Sequence, residues 1–198
     1  MNGAEVVVVP TGTANLASVL AAFARLGAHA RIAEDAVMVT DAAHVVLPGV
    51  GSFGATMAGL REAGLADALA ARVTAGRATL AMCVGLQVLF EASEESPGAT
   101  GLGALAGRVG RFPDEVRVPQ FGWNRVSPEP GCRLVEPGYA YFANSYRVLE
   151  APGCAVATAE HGGRFVAALE QGRVLACQFH PELSGAYGRA LIARWLAA

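Results

Sequence analysis

A strand, a tight turn and a helix are predicted within residues 78–90, and this stretch restricts the possible fold more than any other part of the chain. Its apolar run ends at Cys83, and Gly85 lets the backbone turn there. A nucleophile elbow needs small residues two positions before and after the nucleophile, because its sharp turn brings both flanks close to the backbone. Ala81 stands at the first flank, where glycine is usual, so we expect Ala81 to keep a negative φ.

Cys83 has two interpretations on this stretch alone. In the first, it lies at a helix N-terminus, where the helix dipole favours the thiolate that acts as a nucleophile. In the second, it is a small buried hydrophobe, the commoner fate of a free cysteine. The other cysteines, Cys132, Cys154 and Cys177, form no CxxC pair and lack the spacing of zinc ligands. We therefore expect them to be reduced and structural, with no metal site.

The composition indicates one domain with a substantial core. The chain has 198 residues, of which 53% are hydrophobic, and we assign residues 1–198 to a single domain. Its formal net charge is −2 and its basic residues are scattered arginines, which argues against a nucleic-acid partner. The absence of lysine excludes Schiff-base chemistry. No signal sequence and no transmembrane-length apolar run are found, so we expect a cytoplasmic protein with no membrane partner and no cofactor.

Strands and helices alternate through the first half of the chain. Residues 6–9 form a β-branched run, which is typical of a strand buried on both faces of a parallel sheet. Apolar residues recur at helical spacing over 16–26. Further strands are predicted at 30–33, 44–47 and 80–83, and further helices at 60–73 and 86–91.

The second half of the chain has a different sequence pattern. Short β-rich stretches, broken by glycine and proline, predict antiparallel strands at 108–109, 116–118, 139–142, 155–157 and 165–168. A buried strand at 174–179 and a helix at 187–196 end the chain. The predicted fold class is α/β, with a central, mostly parallel sheet, flanking helices and additional antiparallel strands in the second half.

His180 and Glu182 follow the last predicted strand, as Cys83 follows its own. In open parallel sheets the crevice outside the carboxyl ends of the strands is the usual site, so these ends can meet. Residues two apart in an extended segment share a face, so Glu182 can orient the imidazole of His180 while the other ring nitrogen faces Cys83. Each residue alone would be better explained as a capping or solvated side chain. Together they predict a nucleophile, a base and an orienting carboxylate.

The remaining histidines and the glycine-rich loop at 48–54 carry weaker signals. His29, His44 and His161 lack such neighbours, and we expect all three at the surface. The loop is either an ordinary turn after a strand or a phosphate cradle, although it has neither GxGxxG spacing nor a GK[ST] ending.

Six segments together resemble the class I (triad) glutamine amidotransferases, and among them the glutaminase subunits of imidazole glycerol phosphate synthase. The matching segments are 15–19, 48–54, the elbow with Gln87, 118–124, 141–146 and 178–182, and the resemblance covers nearly the whole chain. The elbow and the His180-Pro181-Glu182 run mark the class. The PGVGSFG run at 48–54 and the GWN run at 122–124 favour this subunit over relatives that serve purine, pyrimidine or anthranilate synthesis.

The resemblance implies a glutaminase that hydrolyses L-glutamine through a Cys83 thioester. It also implies a heterodimer with a (β/α)₈ synthase subunit, which uses the ammonia to make imidazole glycerol phosphate and AICAR in histidine biosynthesis. The elbow geometry predicts the Val84 amide as one oxyanion donor, and the resemblance assigns the other to Gly49, Val50 and Gly51. By resemblance, the substrate-binding residues are Gln87, Asn144, Ser145 and Tyr146. The implied partner interface contains Asn15, Gln120, Trp123, Asn124, Tyr141 and Leu183.

Several positions depart from the family pattern while the triad stays intact. Ala81 replaces glycine, the run at 10–14 replaces an Asp-Tyr-Gly-x-Gly loop, Gln120 and Asn144 stand where histidine is common, and Leu183 stands where lysine is common. Two rival functions stay open at this point. One is a catalytically silent module that kept the fold, and the other is a related amidotransferase, such as the glutaminase of pyridoxal phosphate synthesis.

Overall fold

The computed structural model of the protein describes residues 3–12 and 16–198. The strands are β1 (Glu5–Val8), β2 (His29–Ile32), β3 (His44–Leu47), β4 (Thr79–Met82), β5 (Ala92–Ser93), β6 (Arg108–Arg111), β7 (Gln120–Pro128), β8 (Gly138–Asn144), β9 (Tyr146–Arg147), β10 (Ala155–Glu160), β11 (Arg164–Gln171) and β12 (Val174–Cys177). The helices are α1 (Leu16–Ala24), α2 (Ala36–Asp41), α3 (Phe53–Glu62), α4 (Ala66–Thr74), α5 (Val84–Gln87) and α6 (Gly185–Ala197), with a 3₁₀ turn at Pro181–Leu183.

The main sheet divides into a parallel half and an antiparallel half. Its strand order is β2-β1-β3-β4-β12-β11-β10-β7-β8. All pairings from β2 to β12 are parallel, and all pairings from β12 to β8 are antiparallel. A smaller sheet has the order β5-β6-β9. The predicted α/β class, with antiparallel strands added in the second half, is therefore confirmed.

The parallel half is buried on both faces. Every residue of β3, β4 and β12 is buried, and alternate side chains enter two apolar clusters, one on each side of the sheet. Helices cover both faces, so these strands are apolar at every position except His44 and Thr79, the first residues of β3 and β4. This explains why they read as unbroken apolar runs in the sequence.

The helix predicted at 60–73 is wrong in its bounds, because two helices occupy this region. Helix α3 ends at Glu62 and α4 begins at Ala66. Gly64, with a φ of +68°, stands between them. The Leu65 amide donates to the Leu60 carbonyl at 2.9 Å and the Gly64 amide donates to the Arg61 carbonyl at 3.0 Å. These two bonds form a Schellman motif, in which a left-handed glycine ends the first helix.

Three other expectations need correction. Residues 116–118 are not a strand, and the nearby strand β7 begins at Gln120. The helix predicted at 86–91 begins earlier and ends at Gln87. His44 is buried rather than at the surface, with its ring centroid 5.1 Å from that of Trp195.

None of the helices in the described part of the chain is both long and apolar enough to cross a membrane.

Candidate active site

Cys83 occupies the sharp turn between β4 and α5. Its φ of +54° and ψ of −113° make it the only non-glycine residue with a positive φ in the described part of the chain. Such backbone strain is stored at functional sites and persists only where the surroundings hold it. Here the Cys83 amide donates to the Cys177 carbonyl at 2.7 Å, which ties the turn to β12. Ala81 has no positive φ, as expected.

Close backbone contacts place the loop after β3 directly against the elbow. A Cβ atom added to Gly85 would lie 2.2 Å from the Leu47 carbonyl oxygen, and one added to Gly49 would lie 2.6 Å from the Gly85 nitrogen. Both positions therefore require glycine. The contact brings Val50 and Gly51 to the same cavity as Cys83.

His180 and Glu182 lie at the end of β12, next to the elbow. Cys177 pairs with Met82 in the parallel register, so the ends of β4 and β12 are neighbours. His180 Nδ1 lies 2.8 Å from Glu182 Oε1, and the two side chains are only 7% and 9% exposed. The Ser184 hydroxyl donates to the His180 carbonyl at 2.6 Å and accepts from the Tyr141 amide at 2.9 Å. Glu182 thus holds the imidazole, and Ser184 holds the backbone of His180.

Charge and hydrogen bonding set the protonation state of His180. Burial alone would lower the pKa of the imidazole, since it penalises the charged form. Side-chain hydrogen bonds with Cys83 and Glu182, together with their negative charges, outweigh burial and raise the pKa to about 10. The imidazolium is therefore retained at neutral pH and has a proton to give to a leaving group.

A cavity of about 230 Å³ opens in front of the thiol. Its wall contains most of the predicted oxyanion and substrate residues, and also Glu95 and Ala143. The predicted residues that line it are Val50, Gly51, Cys83, Val84, Gln87, Asn144, Ser145, Tyr146 and His180. Gly49 and Glu182 lie behind this wall, where they border a much smaller void with His180.

Hydrogen bonds from buried amide side chains hold the wall of the cavity in place. Gln87 Nε2 donates to the Tyr146 carbonyl at 3.1 Å and to Gln178 Oε1 at 3.0 Å. Asn144 Nδ2 donates to the Tyr146 carbonyl at 2.9 Å. Gln178 Nε2 in turn lies 3.9 Å from Cys83 Sγ. Gln178 is not among the residues predicted from the sequence, although it stands in the 178–182 segment that carried the resemblance.

Glu95 is the second residue that sequence reasoning missed. Its carboxylate lines the cavity, and its Oε2 accepts a hydrogen bond from the Phe53 amide at 2.6 Å. It is the one acidic residue in the cavity wall within the described residues. No local pattern marks it, because only the packing of the loop at 94–96 against α3 brings it to the site.

The residues of the implied partner interface fall into two groups. Trp123 and Leu183 are 58% and 49% exposed, while Tyr141 and Asn124 are half-buried. Gln120 is buried instead, and its amide has no hydrogen-bond partner among the described residues. Asn15 lies outside the described residues. Their part in an interface stays a prediction.

An exposed aromatic face surrounds Trp123 and Tyr141 on β7 and β8. The two residues are cross-strand partners with ring centroids 6.1 Å apart, and the ring of Phe121 lies 5.8 Å from that of Tyr141. Phe121 and Tyr139 are also exposed, at 71% and 61%. Exposed aromatic residues grouped in this way are typical of interaction surfaces.

Within residues 3–12 and 16–198, no group of three or more His, Cys, Asp or Glu side chains is arranged to hold a metal ion.

Comparison with known sequences places the site in a family. Residues 7–197 match the family described as glutamine amidotransferase class-I. The imidazole glycerol phosphate synthase subunit HisH of Symbiobacterium thermophilum is 39% identical over 197 residues, which cover 97% of this chain and 93% of that protein. The same subunit of Methanothermobacter thermautotrophicus is 39% identical over 186 residues, with 92% and 93% covered.

Solved structures agree at the level of the fold. A glutamine amidotransferase crystal structure matches with a TM-score of 0.77 and 24% identity, covering 96% of this chain and 97% of that one. The PurLQS structure from Thermotoga maritima matches with a TM-score of 0.76 and 18% identity, covering 98% of each chain. The chain has a nucleophile elbow and a histidine–glutamate pair, and the family match spans residues 7–197. It therefore belongs to the class I glutamine amidotransferase family.

Proposed function

We propose that the chain is the glutaminase subunit of an imidazole glycerol phosphate synthase, which hydrolyses L-glutamine and delivers the ammonia to a (β/α)₈ synthase subunit for histidine biosynthesis. The observation that carries the chemistry is the strained Cys83, which lines one cavity with an imidazole that Glu182 orients. The subunit assignment is supported by the HisH relatives. Residues 1–198 then form one amidotransferase domain of a cytoplasmic heterodimer, and the ring-forming lyase chemistry belongs to the partner.

The thiolate of Cys83 attacks the side-chain carboxamide carbon of glutamine. When the tetrahedral intermediate collapses, the C–N bond breaks and His180 gives its proton to the leaving nitrogen, which departs as ammonia. Water then attacks the glutamyl thioester while His180 accepts its proton. Cleavage of the C–S bond releases glutamate and restores the thiolate. Glu182 keeps the imidazole in the orientation that both proton transfers need.

Two backbone segments can stabilise the oxyanion. The Val84 amide follows the nucleophile at the start of α5, where an elbow presents a donor. The second donor comes from Gly49, Val50 and Gly51, of which Gly51 has a φ of +91°. A peptide flanked by glycines reorients at small cost. Because one missing donor costs roughly 10²–10³ in rate, the orientation of this peptide can switch the enzyme between silent and active states.

The cavity wall suits the two ends of an amino-acid substrate. Glu95 supplies a negative charge for the α-ammonium group, and a charge-assisted hydrogen bond of this kind is roughly twice as strong as a neutral one. The main chain at Asn144, Ser145 and Tyr146 borders the same space and can bind the α-carboxylate. Gln87 lines the same cavity and can contact the substrate, while its Nε2 donates to the Tyr146 carbonyl and so also holds Tyr146 in place.

The test is to measure glutamate formation by the purified chain alone and with candidate (β/α)₈ synthase subunits and their ligand. We expect the chain alone to be nearly silent and the complex with the histidine-pathway subunit to be active. Full turnover by the chain alone would contradict the switch. Activation only by a pyridoxal phosphate synthase would contradict the subunit assignment, and silence in every complex would favour a regulatory module.

A further inference from the structure

Helix α3 begins immediately after the loop of Gly49, Val50 and Gly51, and its first amides are capped by a distant segment. The first four amides of a helix have no partner within the helix. Here the Phe53 amide donates to Glu95 Oε2 at 2.6 Å and the Gly54 amide donates to Ser96 Oγ at 3.0 Å. Only the next amide, of Ala55, is capped locally, by Ser52 Oγ at 3.3 Å. The loop therefore depends on Glu95 and Ser96 for the position of its far end.

The capping segment is itself held firmly. The Glu95 amide donates to Ser93 Oγ at 3.2 Å, and Ser93 belongs to strand β5 and is buried. The Glu94 amide donates to the Val109 carbonyl at 3.0 Å, and its carboxylate accepts from the Arg111 amide at 2.9 Å. Both partners belong to β6. The small sheet thus provides a fixed point to which the start of α3 is attached.

The contact between Gly54 and Ser96 leaves no spare room. A Cβ atom added to Gly54 would lie 3.0 Å from Ser96 Oγ and 3.1 Å from Ser96 Cβ. A side chain at position 54 would push the two segments apart, so glycine permits the hydrogen bond. Gly54, the last glycine of the PGVGSFG run, is thus explained by its contact with Ser96, which the run alone does not reveal.

We propose that Ser96 is a positioning residue, which attaches the oxyanion loop and the substrate-facing carboxylate of Glu95 to one rigid unit. This inference rests on the proposed function. Glu95 contacts both the cavity and the first amide of α3, so a bound α-ammonium group and the oxyanion loop share one carboxylate. Ser96 does not line the cavity, and it acts only through Gly54 and through its neighbour. Substrate recognition and oxyanion stabilisation are thereby built on the same support.

The kinetic test compares Ser96→Ala with a matched loss of a hydroxyl group. Thr100→Val is the control, because Thr100 Oγ1 accepts from Arg61 at the other end of α3, far along the chain from the loop. In the complex with the synthase subunit, we expect Ser96→Ala to lower kcat about tenfold, with KM changed less than twofold. Thr100→Val should match the wild type in both kcat and KM. A wild-type kcat in Ser96→Ala, or an equal loss in Thr100→Val, would overturn the proposal.

Amide hydrogen exchange tests the attachment without relying on activity. In the free wild-type chain, the Phe53 and Gly54 amides should be protected from exchange although they lie at a helix start. Ser96→Ala should raise the exchange rate of the Gly54 amide at least tenfold. Equal exchange at Gly54 in both proteins would overturn the proposal. If the wild-type complex forms no glutamate while Gly54 shows the expected protection, the proposed function fails and the attachment stands.

Discussion

The parallel and antiparallel halves of the sheet supply different parts of the site. Cys83 and His180 follow β4 and β12, which are adjacent parallel strands buried throughout. The opposite wall comes from the end of β8 and from β9, and the exposed aromatic face lies on β7 and β8. Strands β7 and β8 alternate between exposed and buried residues. The proposed reacting groups thus follow the fully buried strands, while part of the cavity wall and the exposed aromatic face belong to strands that are partly exposed to water.

This division predicts that changes at the two strand ends affect chemistry most. Cys83→Ala should lower glutamine hydrolysis by about 10⁴-fold or more, while the complex still uses free ammonium. His180→Ala should act similarly, and Glu182→Gln should cost about 10²-fold, because it tunes the base without touching substrate. The matched control is Cys177→Ala, which removes a buried thiol at the neighbouring strand end. Steady-state glutamate formation is measured for all four variants. Equal activities of Cys83→Ala and Cys177→Ala would contradict the catalytic role of Cys83.

At the opposite edge of the parallel half, a buried arginine should matter for stability alone. The Arg72 guanidinium donates to the carbonyls of Val39, Thr40, Ala43 and Ala78 at 2.9–3.4 Å. Burial lowers its pKa to about 10, so it stays charged at neutral pH. Arg72→Met removes all four of these hydrogen bonds and should cost about 3–5 kcal/mol of unfolding free energy.

The matched control for Arg72→Met is Arg77→Met. The exposed guanidinium of Arg77 donates to the Thr40 and Ala42 carbonyls. It should cost under about 0.5 kcal/mol. Urea unfolding measures both variants, and the kcat of each folded variant should equal that of the wild type. Equal losses of stability in the two variants would show that burial of the guanidinium is not what matters.

The aromatic face of β7 and β8, together with the turn after β12, should govern partner affinity. Trp123→Ala should weaken the complex by about 2 kcal/mol or more, since exposed aromatic residues dominate interfaces. Leu183→Ala should cost about 1–1.5 kcal/mol with little dependence on salt, because its contact is apolar. Leu149→Ala is the matched control, a leucine 59% exposed in a different surface groove. Affinity is measured by titration at two salt concentrations. If Leu183→Ala instead lowers only the stability of the free chain, Leu183 belongs to the core.

The smallest expected effect concerns pH. Burial, with the charges of Arg173 and Arg72, lowers the pKa of His44 below its usual 6.5. The unfolded chain therefore binds more protons than the folded chain below pH 6.5, and the free energy of unfolding should fall as the pH falls there. His44→Phe should make this decline shallower, and His29→Phe, at an exposed position, should not. If the unfolding free energy depends on pH equally in the two variants, His44 does not cause the decline.

His180 gives the opposite pH dependence. Its pKa is raised to about 10, so its contribution to stability is fully present below pH 6.5 and is lost as the pH rises through 10. The two histidines of the parallel half thus act on opposite sides of neutral pH. One lies at each edge of that half, and only the one at the carboxyl edge belongs to the site.

The parallel half could be predicted closely from the sequence. In the antiparallel half, the predictions at 139–142, 155–157 and 165–168 found parts of β8, β10 and β11, but one strand was missed. The strand predicted at 44–47 has the bounds of β3, because a strand buried on both faces is apolar at nearly every position, here 45–47. Strand β7 was missed between 119 and 128, where exposed and buried residues alternate around Gly122. A half-exposed strand with a glycine leaves only a weak pattern.

The candidate site shows the same contrast. Cys83, His180 and Glu182 were predicted because local turns and strand ends have recognisable sequences. Glu95 reaches the cavity, and Gln178 reaches Cys83, only through contacts between segments far apart in the chain, such as Phe53 and Glu95, which are 42 positions apart. No local pattern encodes such contacts, and the partner surface was predicted by resemblance alone.

The central claim is that Cys83 carries the glutamyl group, and trapping that group tests it most directly. The complex with the synthase subunit and its ligand is mixed with L-glutamine, quenched in acid and mapped by peptide mass spectrometry. We predict a glutamyl thioester on Cys83, with Cys132, Cys154 and Cys177 unmodified. Glutamate formation with no glutamyl group on Cys83, or with the group on another cysteine, would contradict the mechanism.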